Sequence, residues 1–291
     1  MSESPKSATL PELFRLDGRV AIVTGGAGML GTRYAEAIAE AGGIPVLADL
    51  RSDALDEAAT RIRDAAGVEA VGVPTDIASK DDVEALVRAV DERFGRIDIL
   101  VNNAALTVKG GSEWVQGYFS RFEEYPLDLW QRALDVNLTG TFLMTQAVGR
   151  VMVAQQRGVV LNIGAVYGMV GPDHRIYEGI TNQYGGPAFN TPISYSTTKG
   201  GILNFTRYLA TYWADKGIRV NSFSPGAVYD EHDATFVSNL THRIPLGRMA
   251  GKDEYKGVLL FLVSDASSYM TGANVVVDGG QRYPSARRFG A

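Results

Sequence analysis

Short apolar runs alternate along the chain with stretches whose apolar residues recur every three to four positions. R-V-A-I-V-T at 19–24 is one such run, ended by glycines, and reads as a buried parallel strand. I-P-V-L-A-D (44–49), A-V-G-V-P-T (70–75), I-D-I-L-V-N-N (97–103), G-V-V-L-N-I-G (158–164), G-I-R-V-N-S-F (217–223) and A-N-V-V-V-D-G (273–279) read as strands too. Between the first two, residues 30–41 place Tyr34, Ile38 and Ala41 on one helical stripe. A helix over 52–66 has a Ser start and Gly67 just past its end. Another over 79–94 opens on Ser79 with Asp82 three residues on, a capping-box-like start. Further helices are expected at 127–156, bent or broken near Gly140, at 194–215 and at 258–265. The alternation predicts a doubly wound α/β fold: a seven-stranded parallel sheet with helices on both faces, in one domain over 1–291 with no linker.

Two segments interrupt the alternation, 106–126 and 170–192. Long insertions in a compact domain are usually functional, so both are expected to form a lid over a substrate. Their Trp114, Tyr118, Phe119, Phe122, Tyr177, Tyr184 and Phe189 argue against disorder.

Composition narrows the function. A chain of 291 residues, 45% hydrophobic, has ample core. A net charge of -5 gives no basic surface for nucleic acid. There is no cysteine, which excludes disulfides, Cys-based metal sites and Cys nucleophiles. His174, His232 and His242 lack metal-ligand spacing, so no metal is expected. No apolar run approaches the roughly 20 residues that span a bilayer. The opening M-S-E-S-P-K-S-A has no apolar core and does not read as a signal peptide. A soluble cytoplasmic protein with a small-molecule substrate is the expectation.

T-G-G-A-G-M-L-G, from Thr24 to Gly31, follows the first strand and opens the first helix. In that context a glycine cluster reads as the phosphate turn of a Rossmann fold. The helix N-terminus offers N–H groups and partial positive charge to a pyrophosphate. Gly25, Gly28, Met29, Leu30 and Gly31 are the cofactor candidates here. Asp49 ends the second strand, followed by Leu50. A carboxylate there accepts ribose hydroxyls and repels a 2′-phosphate, which argues for NAD over NADP; Arg51 softens the argument. Asp76 and Ile77 end the third strand, where an adenine would lie. Asn102, Asn103, Ala104 and Ala105 end the fourth, with small residues where a cofactor must pass.

Y-x-x-x-K occurs twice, as Tyr195/Lys199 and Tyr212/Lys216. Either pair shares one helix face. Tyr195 sits at the start of its helix among Ser196, Thr197, Thr198, Gly200 and Gly201, small neighbours that leave room for a cofactor. Tyr212 lies at the far end beside Trp213 and reads as packing, with Lys216 solvated. In the favoured pair, an ammonium at Lys199 would lower the phenol of Tyr195 from its free value near 10. Tyr195 then exchanges a proton with a hydroxyl or carbonyl oxygen while hydride passes to or from the cofactor.

From about Asp17 to Gly280 the chain resembles the short-chain dehydrogenase/reductase family, in its single-domain, tetramer-forming type. The resemblance rests on T-G-G-A-G-M-L-G, Asp49, Asp76, N-N-A-A, D-V-N-L-T-G around Asn137, Y-S-T-T-K, R-V-N-S-F-S-P-G at 219–226 and V-D-G-G at 277–280. It implies that Asn137 holds a water in a proton relay behind Lys199, and that Pro225, Gly226 and Val228 line the nicotinamide face. It implies a homotetramer whose contacts use the helices near 127–156 and 194–215 and the last strand. Three departures stand out. Met29 replaces the middle glycine of the phosphate turn, with Gly28 expected to supply the flexibility. N-N-A-A replaces N-N-A-G. Ala165, in N-I-G-A, occupies the position of the catalytic serine.

Three readings of Ala165 stay open. The position is an introduced Ser→Ala change; or it is natural, with Tyr167, Asn162 or an insertion residue such as His174 supplying the hydrogen bond; or catalysis is lost and the chain is an NAD-binding protein with a binding or regulatory role. Losing one preorganised donor costs about 10²–10³ in turnover, not the whole mechanism.

Candidate substrate contacts are Lys109, Tyr167, His174, Arg175, Tyr177, Glu178, Tyr229, His232 and Arg243. Together they predict a hydroxylated or anionic small molecule rather than a steroid or long acyl chain. Y-G-M-V-G-P-D-H-R-I-Y-E-G resembles relatives associated with sugar modification, including surface-glycan and nonulosonate pathways. The expected reaction is therefore NAD-dependent interconversion of a secondary alcohol and a ketone on a sugar, sugar acid or related compound. A nucleotide-sugar epimerase or dehydratase would use the same Tyr/Lys pair, but usually with a larger C-terminal domain than this chain has room for.

Overall fold

The computed structural model describes residues 8–106, 115–180 and 189–283. Seven parallel strands form one sheet: β1 Val20–Thr24, β2 Ile44–Asp49, β3 Val71–Pro74, β4 Ile99–Asn102, β5 Gly158–Ile163, β6 Ile218–Pro225 and β7 Asn274–Val277. Their order is β3-β2-β1-β4-β5-β6-β7, so the winding reverses between β1 and β4 and leaves a crevice at their C-terminal ends.

After a single turn, α1 (Leu10–Leu13), the long helices are α2 (Met29–Glu40), α3 (Ser52–Ala66) and α4 (Lys80–Phe94). The chain continues through α5 (Val115–Tyr118), α6 (Leu127–Leu134), α7 (Thr141–Gln155), α8 (Ile193–Tyr212), α9 (Ala234–Thr241) and α10 (Lys256–Val263). Alternating positions of β1 explain the layering. Val20 and Ile22 pack with Leu86, Val90, Met144, Val148 and Trp213 from α4, α7 and the end of α8. Ala21 and Val23 pack with Tyr34, Ile38, Leu259 and Leu262 from α2 and α10. A strand buried on both faces is expected to be largely apolar; all five residues of β1 are buried, and only its last, Thr24, is polar.

Helix ends follow the expected chemistry. Ser79 accepts the Asp82 N–H at 3.3 Å, and its hydroxyl donates to the Asp82 carboxylate at 3.0 Å. Gly67 and Gly95 end α3 and α4 in the left-handed region at φ 66° and 67°. The break expected near Gly140 is a π-helical turn over Asp135–Gly140 that joins α6 to α7.

α9 is a helix that the strand–helix alternation does not predict. Asp233 caps it, accepting from the N–H groups of Thr235 (2.8 Å) and Phe236 (3.1 Å). The described part of the second insertion docks on this helix. Ile176 joins Leu240, Ile244 and Met249 in a small core of their own, flanked by Tyr177 and Phe236. No helix among the described residues is long and apolar enough to cross a membrane.

Candidate active site

The phosphate turn is shaped by close contacts. Gly25 takes φ +63°, a left-handed torsion that other residues reach at a cost. A Cβ on Gly31 would lie 2.0 Å from the Gly25 carbonyl oxygen, so α2 can start this close to the turn only with glycine there. Gly28 corrects the expectation for it. Its torsions are ordinary extended ones, φ -80° and ψ 170°, and it is instead small, since a Cβ would sit 3.0 Å from Gly25 O. Met29 begins α2 half-buried. No side chain caps this helix and no acidic residue lies in its first turn. The N–H groups of Met29, Leu30 and Gly31 thus have no competing side-chain acceptor, as an anionic pyrophosphate requires.

Thr24 stitches the crevice together. Its hydroxyl accepts the N–H groups of Asn103 and Ala104, both at 3.0 Å, while Asn103 Nδ2 donates to the Thr24 carbonyl at 2.9 Å. Ala105, next along, is half-buried. The Asp49 side chain, 11% exposed, accepts the Ala27 N–H of the turn at 3.2 Å and pairs with Arg51 Nε at 3.3 Å. Those residues fit a dinucleotide whose adenosine ribose meets Asp49. Leu50 is 70% exposed. Asp76 uses Oδ1 to accept the Ala78 N–H at 2.9 Å. The Ile77 side chain packs in the core, where a Cβ on Gly140 would fall.

Asn137 lies in the π-helical turn, 3% exposed. Its Oδ1 accepts the Leu106 N–H at 2.7 Å and its Nδ2 donates to Thr198 Oγ1 at 3.0 Å. It therefore ties the chain after β4 to the helix turn that carries Tyr195 and Lys199. Beneath it, Asn102 Nδ2 donates to Thr145 Oγ1 (2.9 Å) and Asn162 Oδ1 (2.8 Å), and Asn162 Nδ2 to Thr206 Oγ1 (2.9 Å). Asn162 is fully buried and spent on this network, which removes it as a replacement for the serine.

Lys199 is 5% exposed, and its Nζ donates to the Ile163 carbonyl at 2.7 Å. The Nζ lies 5.9 Å from the centroid of the Tyr195 ring. Burial pushes the ammonium down to about 8 and the Tyr195 phenol up to about 12. The sequence argument expected the ammonium to pull the phenol down. In the free chain, desolvation of the phenol wins instead.

Ala165 is buried at the end of β5, extended at φ -163° and ψ 159°, and opens a tight turn over Val166–Gly168. That turn packs directly on the Tyr/Lys helix: a Cβ on Gly168 would lie 2.7 Å from the backbone of Lys199. Tyr167 is half-buried, and its hydroxyl accepts from Gln281 Nε2 at 3.4 Å. Burial raises the phenols of Tyr118 and Tyr167 above their ordinary range, with smaller contributions from Tyr195 and Tyr177 in both cases. Burial also raises Tyr177, whose hydroxyl lies 3.1 Å from Thr191 Oγ1. Tyr118, Tyr167 and Tyr177 are therefore held as neutral phenols.

Other candidates scatter. His174 is exposed and lines a cleft of about 360 Å³ with Arg121, Glu123, Asn190 and Ser196, a cleft that Tyr195, Lys199 and Ala165 do not line. Arg175 is exposed and spent on Asp173, with two bonds of 2.8 Å. Arg243 Nε meets the same carboxylate at 2.8 Å, joining the insertion to the chain just past α9. Tyr229 is 49% exposed and His232 is exposed; their rings lie 6.4 Å apart, and His232 packs 5.3 Å from Phe236. Glu178 is exposed. Lys109, Trp114 and Tyr184 lie outside the described residues. Pro225 ends β6, Gly226 donates its N–H to Val277 O at 2.9 Å, and Val228 bridges to Ala250. The rival Tyr212 is 63% exposed and stacks on Tyr208 at 5.9 Å, not in the core, and Lys216 pairs with Asp215 at 2.9 Å. Asp173 and Gln281 escaped sequence reasoning. A signal for Gln281 existed, since it directly follows V-D-G-G.

A dinucleotide turn at one end of the crevice and a buried Tyr/Lys pair at the other define an oxidoreductase that acts on CH–OH groups. A family model described as "Enoyl-(Acyl carrier protein) reductase" matches residues 26–282. The D-threitol dehydrogenase of Mycolicibacterium smegmatis is 34% identical over 92% of this chain and 94% of its own. The 3-oxoacyl-acyl-carrier-protein reductase of Aquifex aeolicus is 32% identical over 91% and 98%. The crystal structure of an NAD+-bound xylitol dehydrogenase superposes with a TM-score of 0.78 at 31% identity, over 91% of this chain and 99% of that one. The chain belongs to the short-chain dehydrogenase/reductase family.

Proposed function

We propose that the chain is an NAD-dependent dehydrogenase that interconverts a secondary alcohol and a ketone on a small polyhydroxylated substrate: a polyol, sugar or sugar acid. The observation that carries this reading is the buried Tyr195/Lys199 pair, packed against the turn that presents the half-buried phenol of Tyr167. Neutral phenols donate and accept hydrogen bonds, as a substrate bearing many hydroxyls demands, and give little to a long acyl chain. The D-threitol and xylitol dehydrogenases point the same way.

Asp49 accepts the ribose hydroxyls of NAD, and the N–H groups at the start of α2 hold the pyrophosphate. Asn103, Ala104, Pro225, Gly226 and Val228 flank the nicotinamide. When bound, the nicotinamide supplies hydride transfer to or from the carbon that bears the oxygen. Tyr195, protonated at neutral pH, gives its proton to a ketone oxygen in reduction. In the alcohol-oxidising direction it must accept that proton, and the charge on Lys199 assists once water is excluded. Asn137 holds the Lys199 turn and a water in the proton relay. In this reading the segments 106–126 and 170–192 form the substrate lid, although 107–114 and 181–188 lie outside the described residues. Phe142, Tyr208 and Tyr212, exposed at 45%, 63% and 63% on α7 and α8, support a homotetramer with these helices and the edge strand β7 as contacts. The protein acts in the cytoplasm.

The test is a panel of polyols, aldonic acids, ketoses and a 3-oxoacyl thioester, assayed with NAD and NADP by nicotinamide absorbance. Turnover of a polyol or sugar with NAD is expected. Turnover of the thioester alone would replace this reading. Tight NADH binding with no turnover on the panel would favour a binding protein.

A further inference from the structure

Ala165 removes the hydroxyl that the family places opposite the tyrosine, and two of the candidates to replace it, Asn162 and His174, are excluded. Asn162 is committed to the buried network of Asn102 and Thr206. His174 is exposed in a cleft that the Tyr/Lys pair does not line. Tyr167 remains, two residues along the same turn, and that turn rests on the backbone of Lys199.

The decisive contact comes from the other end of the chain. After β7, Gly279 and Gly280 both take positive φ, 61° and 87°, and turn the chain back over the C-terminal edge of the sheet. Asp278 holds this turn by accepting the N–H groups of Gly280 (2.9 Å) and Arg282 (3.1 Å). Gln281 is thereby set between Ala227 and Tyr167. Its Oε1 accepts the Ala227 N–H at 3.0 Å, and its Nε2 donates to the Tyr167 hydroxyl at 3.4 Å. A backbone N–H can only donate, so it fixes which way the amide faces. The amide's NH₂ must then point at Tyr167, and the phenol oxygen must accept. A phenol has one proton, and this contact leaves it free to be given elsewhere.

We infer that Tyr167, oriented by Gln281, supplies the hydrogen bond that Ala165 cannot, donating to the reacting oxygen of the substrate beside Tyr195. The assignment rests on the dehydrogenase reading above. Tyr167 keeps its proton throughout; the proton transferred to or from the substrate oxygen is that of Tyr195. With its phenol raised by burial, Tyr167 stays a donor across the working pH range. Gln281 is a positioning residue.

The test uses steady-state kinetics on the parent, Tyr167→Phe, Ala165→Ser and the double variant, with the best substrate of the panel. Tyr167→Phe is expected to lower kcat by about 10²-fold or more, in the range of a lost preorganised donor, with NADH affinity unchanged. Ala165→Ser alone should change kcat only a few-fold. Added to Tyr167→Phe it should restore most of the loss, a rescue that a packing defect would not show. Gln281→Glu keeps the acceptor for Ala227 but offers Tyr167 a carboxylate, which draws the phenol proton away from the substrate. Its kcat relative to the parent should fall at pH 8 and recover as the pH drops and the carboxyl is protonated. This arm decides if Tyr167→Phe fails to fold. An active parent that is indifferent to Tyr167→Phe, a loss that serine does not rescue, a gain of 10² from Ala165→Ser alone, or a pH-independent Gln281→Glu ratio each overturns the assignment while the dehydrogenase reading stands. No turnover by either the parent or Ala165→Ser overturns that reading and this assignment with it.

Discussion

Replacing Asp49 with Asn tests the cofactor preference with a magnitude taken from the structure. The Asp49 carboxylate is 11% exposed at the end of β2, and it faces the Ala27 N–H of the phosphate turn. A 2′-phosphate on the adenosine ribose would bring a second anion to roughly 4 Å. With an effective dielectric near 20, two unit charges at that distance repel by about 4 kcal/mol. Arg51, 3.3 Å from the carboxylate and 59% exposed, offsets part of this. A net penalty of about 2 kcal/mol, or roughly 30-fold against NADP, follows after solvent screening. Asparagine is isosteric and keeps an acceptor for Ala27, but it forfeits the charge-assisted bond to the ribose. That loss weakens NAD by roughly 10-fold. The ratio of kcat/KM for NAD over NADP should therefore fall by roughly 300-fold in Asp49→Asn, the product of those two factors. Arg51→Leu should move the ratio the other way. The assay is steady-state oxidation of one polyol with each cofactor. A ratio unchanged within a factor of three in Asp49→Asn would refute the reasoning and put cofactor selection elsewhere.

Gly31→Ala places a Cβ 2.0 Å from Gly25 O; NADH affinity measured by fluorescence should drop at least 100-fold and Tm should fall, and an unaltered affinity would contradict the tight turn. Lys199 is held near 8 against an unperturbed 10.5, so the folded chain binds that proton less tightly than the unfolded one. The cost of burying its charge is full below pH 8 and fades as pH rises to about 10.5. Lys199→Met should accordingly lose turnover yet gain about 1–2 kcal/mol of stability at pH 7, after allowing for the lost bond to Ile163 O. The gain should shrink between pH 8 and 10.5; a pH-independent difference in Tm would refute this origin. Asp173→Asn weakens the bonds from both Arg175 and Arg243 and should loosen the insertion from the α9 region. Hydrogen exchange over 173–178 should speed up and KM for substrate should rise with kcat little changed, whereas an unchanged exchange pattern would show that the small core around Ile176 suffices.

The strand–helix alternation, the phosphate turn, Asp49 at the end of β2 and the pair Tyr195/Lys199 are all legible in the sequence. Each depends on local periodicity or on residues adjacent along the chain. Strand and helix ends blurred by one to three residues, and α9 was hidden because its cap, Asp233, lies inside a polar stretch. Contacts between residues far apart in sequence were beyond reach. The binding of Lys199 to Ile163 O, the network of Asn102 with Asn162 and the reach of Gln281 to Tyr167 span 36 to 114 residues. The sign of the Tyr195 shift belongs here too. Sequence shows that an ammonium is near, but burial, which a chain acquires only on folding, sets which of two opposing effects is larger. Sequence alone located the gap at Ala165; the tertiary structure decided which neighbours can reach it, because hydrogen bonds depend on ångström-scale distances that spacing along the chain does not encode.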